Sequence, residues 1–141
     1  MTCENKKFVI QEHSLGPDTH WDFMLEIADS LQTYRLDKAP AELLHRPANA
    51  VKIFDHPLKF LTYEGPVNDG RGNVRIVEAG TFQILHQDQN RFDLALTGRL
   101  LKGKFTLTHI KNDNWLLTCE PQADKPAKRS GGQDWVRLGS F

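Results

Sequence analysis

The chain has 141 residues, the length of one domain able to bury roughly two thirds of the surface it exposes when unfolded. Its 18 Lys and Arg balance 18 Asp and Glu, so no global charge marks it for tight non-specific binding to nucleic acid or to an anionic membrane. Its two cysteines, Cys3 and Cys119, make neither a metal-type spacing nor a disulfide scaffold, and no stretch has signal-peptide or transmembrane character, so a reduced, cytoplasmic protein without a membrane is expected.

Residues 1–7 read as a flexible start, and the first predicted strand is Phe8–Gln11. His13 follows, then a loop-like SLGPDT that leads into a second strand, Trp21–Ile27. Alternation turns Trp21, Phe23, Leu25 and Ile27 towards a core and puts His20 and Asp22 together on the other face. The Gly16-Pro17 turn brings His13 back beside them. Two imidazoles and a carboxylate suit Mn, Fe or Zn with coordination positions left for a substrate, although a His-x-Asp pair on a half-exposed strand equally reads as a hydrogen-bonded surface pair.

The third predicted strand is Leu31–Leu36, and Ala41–His45 reads as a brief helix. Val51–Phe54 forms a strand that ends in Asp55-His56-Pro57, where a pre-proline His56 reads locally as an extended turn residue. Leu58–Thr62 is a second candidate helix. Turn signals at Asn68-Asp69-Gly70 and Gly72-Asn73 lead into strands Val74–Val77 and Thr81–Leu85, divided by an Ala79-Gly80 turn. Phe92–Thr97 alternates cleanly, and Phe105–His109 and Trp115–Cys119 flank the Asn112-Asp113-Asn114 turn. Pro121–Gln133, rich in Pro, Lys, Ser and Gly, reads as a mobile loop before a last strand at Trp135–Leu138. Strands this short and regular predict one mainly β domain over residues 1–141, a barrel or a sandwich. Phe82, Trp115 and Trp135 are expected in its core, with His45, His86 and His109 as structural or surface residues. Arg99 with Lys102, Lys104 and Lys111, and Lys125, Lys128 and Arg129, form two local basic groups on an otherwise balanced chain.

The order FVIQEH, THWDFMLEI, DHPLKFLTYEGPV, GRLLKGKFTLT and WLLTC resembles the 3′-phosphoesterase domain of bacterial DNA ligase D, from about Phe8 to Cys119. The resemblance implies a small closed antiparallel β-barrel with one or two short helices. It also implies a Mn²⁺-dependent enzyme of DNA repair that heals nucleic-acid 3′ ends by removing a 3′-terminal ribonucleoside and then a 3′-phosphate; Zn²⁺ or another divalent metal is a substitute. In that family two histidines and an aspartate hold the metal, which match His13, His20 and Asp22, and the histidine of the Asp-His-Pro turn, matching His56, contacts the scissile phosphate. The implied partners are DNA or RNA-terminated DNA ends, with polymerase and ligase functions on separate proteins.

The chain departs from the family pattern at several of these positions. Six residues separate His13 from His20 where the family has five. Met24 stands for an arginine two residues after the aspartate, and Phe60 for a tyrosine four residues after the Asp-His-Pro histidine. A second phosphate-binding arginine aligns with Ala48, with Arg46 close enough to substitute. Arg46 and Lys52 are therefore expected as phosphate contacts, with Arg35 and Lys38 as further replacements. Two other readings remain: a non-catalytic end-binding module, motivated by Met24 and Phe60, and a non-haem Fe(II) oxygenase in which His86 or His109 joins His20 and Asp22.

Overall fold

The structure is a computed structural model that describes residues 6–120. Cys3, the loop read over Pro121–Gln133, the basic run at Lys125, Lys128 and Arg129, and the strand read at Trp135–Leu138 lie outside the described residues. Among the described residues nine strands run antiparallel to their neighbours: β1 (Lys6–Leu15), β2 (Asp18–Ile27), β3 (Ser30–Leu36), β4 (Ala48–His56), β5 (Gly65–Val67), β6 (Gly72–Gln87), β7 (Arg91–Gly98), β8 (Lys102–Lys111) and β9 (Asn114–Cys119). Their order is β1-β2-β3-β4-β9-β8-β7-β6-β5, and β6 also pairs with β1. Eight strands thus close the expected barrel, and β5 rests on β6 outside the ring. The two brief helices are a single turn of α-helix, α1 (Pro40–Leu43), and a 3₁₀ turn at Leu58–Leu61. No helix among the described residues is long and apolar enough to cross a membrane.

Alternating side chains fill the barrel as the sequence pattern requires. Phe8, Ile10, Phe23, Leu25, Phe82 and Phe105 are buried inside it, with Trp21, Ile27 and Trp115 packed against them. Three local expectations change. Lys6 and Lys7, read as part of a flexible start, belong to β1. Gly65–Val67, outside every predicted strand, makes a short ladder with β6. Ala79-Gly80 is no turn: β6 runs unbroken for 16 residues, pairing with β1 along one edge and with β5 and then β7 along the other.

Two close approaches explain why the Glu78-Ala79-Gly80 stretch imitates a turn. A Cβ on Gly80 would lie 2.1 Å from the Thr97 carbonyl oxygen, so only glycine admits the β7 backbone there. Glu78 is fully buried and points inward. Its carboxylate accepts hydrogen bonds from the backbone N–H groups of Ala79, Arg99, Leu100 and Leu101, which closes the β7–β8 turn. Every lone-pair direction of that buried charge is used, the condition under which a carboxylate is tolerated in a core.

The opposite face of β1–β3 is only partly wet. Val9, Met24 and Leu31 are buried there beneath Phe60 and Leu61 of the 3₁₀ turn. Gln11 pins the same turn, its buried side-chain amide donating to the Phe60 carbonyl at 3.0 Å and the Tyr63 carbonyl at 2.9 Å. Gln11→Ala leaves two carbonyls without their donor and is expected to lower the unfolding free energy by about 1–3 kcal/mol, read from urea denaturation. The segment from Pro57 to Val67 thereby becomes one wall of a cavity built against the outside of the barrel.

Candidate metal and phosphate site

The β1–β2 hairpin sets the centre of the site. Its two-residue turn, Gly16-Pro17, has glycine at φ +61, the conformation that a tight hairpin asks of its first turn residue. The resulting register pairs His13 directly with His20 and Gln11 with Asp22. The six residues between the histidines therefore fit a regular hairpin, and the two imidazoles meet across the ladder.

His13 Nδ1 lies 2.9 Å from His20 Nε2. Asp22 places its carboxylate oxygens 3.9 Å from His13 Nδ1 and 3.7 Å from His20 Nε2. His13 and Asp22 are buried, and one donor atom from each of the three residues falls within 4.8 Å of the others. Burial holds the pKa of both imidazoles below the usual histidine value, with the Asp22 charge opposing it and Arg35 adding to it. Neutral rings at pH 7 keep lone pairs for a metal. The other His13 nitrogen, Nε2, is buried with no hydrogen-bond partner among the described residues, and a Cβ on Gly72 would come within 2.9 Å of it. Nδ1 is thus the His13 atom turned to the cluster.

Arg35 completes the centre from the next strand. The β2–β3 register sets it opposite Asp22, and its Nε donates to Asp22 Oδ1 at 3.2 Å. The rest of its guanidinium has no hydrogen-bond partner among the described residues, and the side chain is 40% exposed.

His56, at the end of β4, stands beside them with a defined tautomer. Its Nδ1 is 2.9 Å from Thr33 Oγ1 and 3.2 Å from the Phe54 carbonyl oxygen. The Thr33 hydroxyl spends its proton on the Leu31 carbonyl at 3.0 Å, so its oxygen accepts from His56 Nδ1–H. Nε2 remains as the free nitrogen, a lone pair in the neutral ring and a donor in the protonated one. Burial lowers the His56 pKa, while the Asp22 charge and the bond to the Phe54 carbonyl oppose that. Thr33→Val removes the acceptor and is expected to mix the two neutral tautomers in ¹⁵N NMR, and to slow any reaction at this site by about tenfold, the lower range for an outer partner that orients a functional imidazole. Thr33→Ser is expected to preserve both.

These groups share one cavity of about 690 Å³. Its lining joins the polar Gln11, His13, Asp22, Arg35, His56, Lys59, Asn68 and Asp69 to the apolar Phe54, Phe60, Tyr63, Pro66, Val67 and Val74; His20 is not part of it. Of the four cations expected as phosphate contacts, Arg35 lines this cavity. Arg46 lines a second one, with Leu44, Lys102 and Cys119. Lys52 sits near Asp55 and Lys38 near Asp37, neither on the cavity wall. His86 faces Asp88, and His109 the Asn112 carbonyl, so neither joins His20 and Asp22. Gln11, Thr33, Phe54, Lys59 and Tyr63 escaped the sequence reading. Gln11, Thr33 and Phe54 carried a local signal, standing two residues before His13, Arg35 and His56 on the same strands, whereas Lys59 and Tyr63 carried none.

Met24 and Phe60, which look like losses in the sequence, share one apolar cluster, with Phe60 of the 3₁₀ turn packed over Met24, Val9 and Leu31. Met24 is 1% exposed, and Phe60 meets the edge of His56 with ring centroids 5.6 Å apart. The pair trades polar contacts for a dry anchor of the cavity wall.

A family model described as DNA ligase D 3′-phosphoesterase domain matches residues 11–109. A multifunctional non-homologous end joining DNA repair protein, LigD, of Mycobacterium tuberculosis is 30% identical over 123 residues, covering 82% of this chain and 16% of that protein. LigD of Mycolicibacterium smegmatis is 28% identical over 129 residues, with 82% and 17% covered, and LigD of Pseudomonas aeruginosa 26% over 123 residues, with 79% and 14%. The chain spans about one sixth of the length of these curated relatives.

Proposed function

We propose, from the fact that this chain belongs to the DNA ligase D 3′-phosphoesterase domain family, that it is a divalent-metal-dependent phosphoesterase that processes nucleic-acid 3′ ends in DNA repair. The observation that carries the reading is the convergence of His13, His20 and Asp22 beside Arg35 and His56. Ligands about 2.0–2.2 Å from a tetrahedral ion stand about 3.4 Å from one another. The separations of 2.9, 3.7 and 3.9 Å bracket that figure, and the donor set of two neutral imidazoles and a carboxylate fits Mn²⁺, Zn²⁺ or a similar ion.

His13 Nδ1, His20 Nε2 and Asp22 would hold the metal. When bound it supplies charge neutralisation at the phosphate oxygens and a water activated for attack. Arg35 uses one nitrogen on Asp22 and presents its other N–H groups to the phosphate, taking over a contact that Met24 cannot make. The negative charge of a bound phosphate favours the protonated form of His56, whose Nε2–H then donates to a phosphate oxygen or to the leaving oxygen while Thr33 holds its other nitrogen. The Pro57–Val67 wall limits access of bulk water from one side. The product, a 3′-hydroxyl end, is what polymerase and ligase activities of a repair system require, and those activities are the partners we propose.

The test is a primer–template ending in a 3′-phosphate or in one 3′-ribonucleotide, incubated with and without Mn²⁺. Metal-dependent appearance of a 3′-hydroxyl supports the assignment. Binding of the end with no product under Mn²⁺, Zn²⁺ or Mg²⁺ identifies an end-binding module instead.

A further inference from the structure

Among the described residues Phe54 is the most exposed large apolar side chain, at 73%. A lone apolar residue on open surface needs no explanation. This one lies on the wall of the cavity that holds the polar cluster, and its ring is stacked on His56, with centroids 4.8 Å apart and planes 15° apart. Phe54 and His56 are two residues apart on β4 and so share a face, one ring covering the other while the rest of the phenyl ring stays uncovered.

The cavity is also larger than a phosphate requires. At about 690 Å³ it is in the size range of sites for whole small molecules, while a phosphate and its ion occupy only the end near His13, Asp22, Arg35 and His56. The organic part of a phosphate ester must fill the remainder, where Phe54, Phe60 and Val67 stand beside Lys59, Asn68 and Asp69. An anion-binding end joined to a flat aromatic face matches a nucleotide, with its phosphate at one end and a planar base at the other.

We propose that Phe54 is a stacking platform for the terminal base of a nucleic-acid 3′ end whose phosphate lies at Arg35 and His56. The proposal rests on the phosphoesterase reading for the position of the phosphate and adds the nucleoside subsite to it. Stacking on an aromatic ring accepts any base, so the subsite discriminates nucleotides from simple phosphate esters without selecting a sequence.

The test uses single-stranded oligonucleotides ending in a 3′-phosphate, with 2-aminopurine as the terminal or as the fourth base, bound to the full chain without added metal. Quenching is expected at the terminal position and not at the fourth. Phe54→Ala is expected to weaken oligonucleotide binding about tenfold, the size of one lost base–aromatic stack, while competition by inorganic phosphate is unchanged, and Phe54→Trp is expected to restore binding. Equal quenching at both positions, undiminished oligonucleotide affinity in Phe54→Ala, equal weakening towards phosphate and oligonucleotide, or no oligonucleotide binding would each overturn the subsite. Terminal quenching by a protein that releases no phosphate under any metal would defeat the phosphoesterase reading and leave the subsite standing.

Discussion

His20→Ala is expected to abolish metal-dependent phosphate release from a 3′-phosphate end, by at least about 10²–10³-fold, while the barrel stays folded. That figure is the typical loss for one preorganised contact to developing charge, and it is a minimum because a missing ligand removes the ion's whole contribution. The fold survives because His20 is only half-buried and sits outside the apolar core, near the turn end of a hairpin whose ladder runs from Phe8↔Leu25 to Leu15↔Asp18. Alanine also breaks the 2.9 Å contact to His13, whose Nδ1 then keeps only Asp22 at 3.9 Å. Metal titration by calorimetry, circular dichroism and a phosphate-release assay on the same preparation check the three parts separately. Full activity in a folded His20→Ala protein would remove the metal from the mechanism.

The proposed metal-binding half of the candidate site was legible because it is local. A two-residue period and one Gly-Pro turn suffice to bring His13, His20 and Asp22 together, and the hairpin delivers them in direct register. Barrel architecture was legible for the same reason, through repeated alternation between turns. The proposed phosphate-binding half depends on pairing across strands that no local pattern encodes. Arg35 outranks Arg46, Lys52 and Lys38 only because the β2–β3 register sets it opposite Asp22. The fate of Met24 and Phe60 depends on a 3₁₀ turn folding back over β1 and β2, held by Gln11 across 49 and 52 residues of sequence. The false turn at Ala79-Gly80 has the same origin, since the glycine answers a neighbouring strand and the glutamate a turn about twenty residues away. Position along a strand was readable, whereas the identity of its neighbour was not.

Arg35 gives the second large effect, and it has two opposite parts. Arg35→Ala is expected to lower turnover by about 10²–10³-fold, because the phosphate loses the guanidinium that stands where the cluster meets the cavity. The same variant is expected to bind the divalent metal several-fold more tightly. A guanidinium 3.2 Å from Asp22 Oδ1 competes with any cation for that carboxylate, and its removal leaves the buried charge to the metal alone. Arg35→Lys is expected to recover only part of the rate, since an ammonium cannot contact Asp22 and a phosphate through one planar fork. The two parts separate the roles that Arg35 combines. A slower enzyme with tighter metal binding means that Arg35 contacts the phosphate. A slower enzyme with weaker metal binding would mean that it only holds the Asp22 carboxylate in place. Unchanged turnover would transfer the phosphate contact to His56 and Lys59, the remaining basic groups on the cavity wall apart from His13.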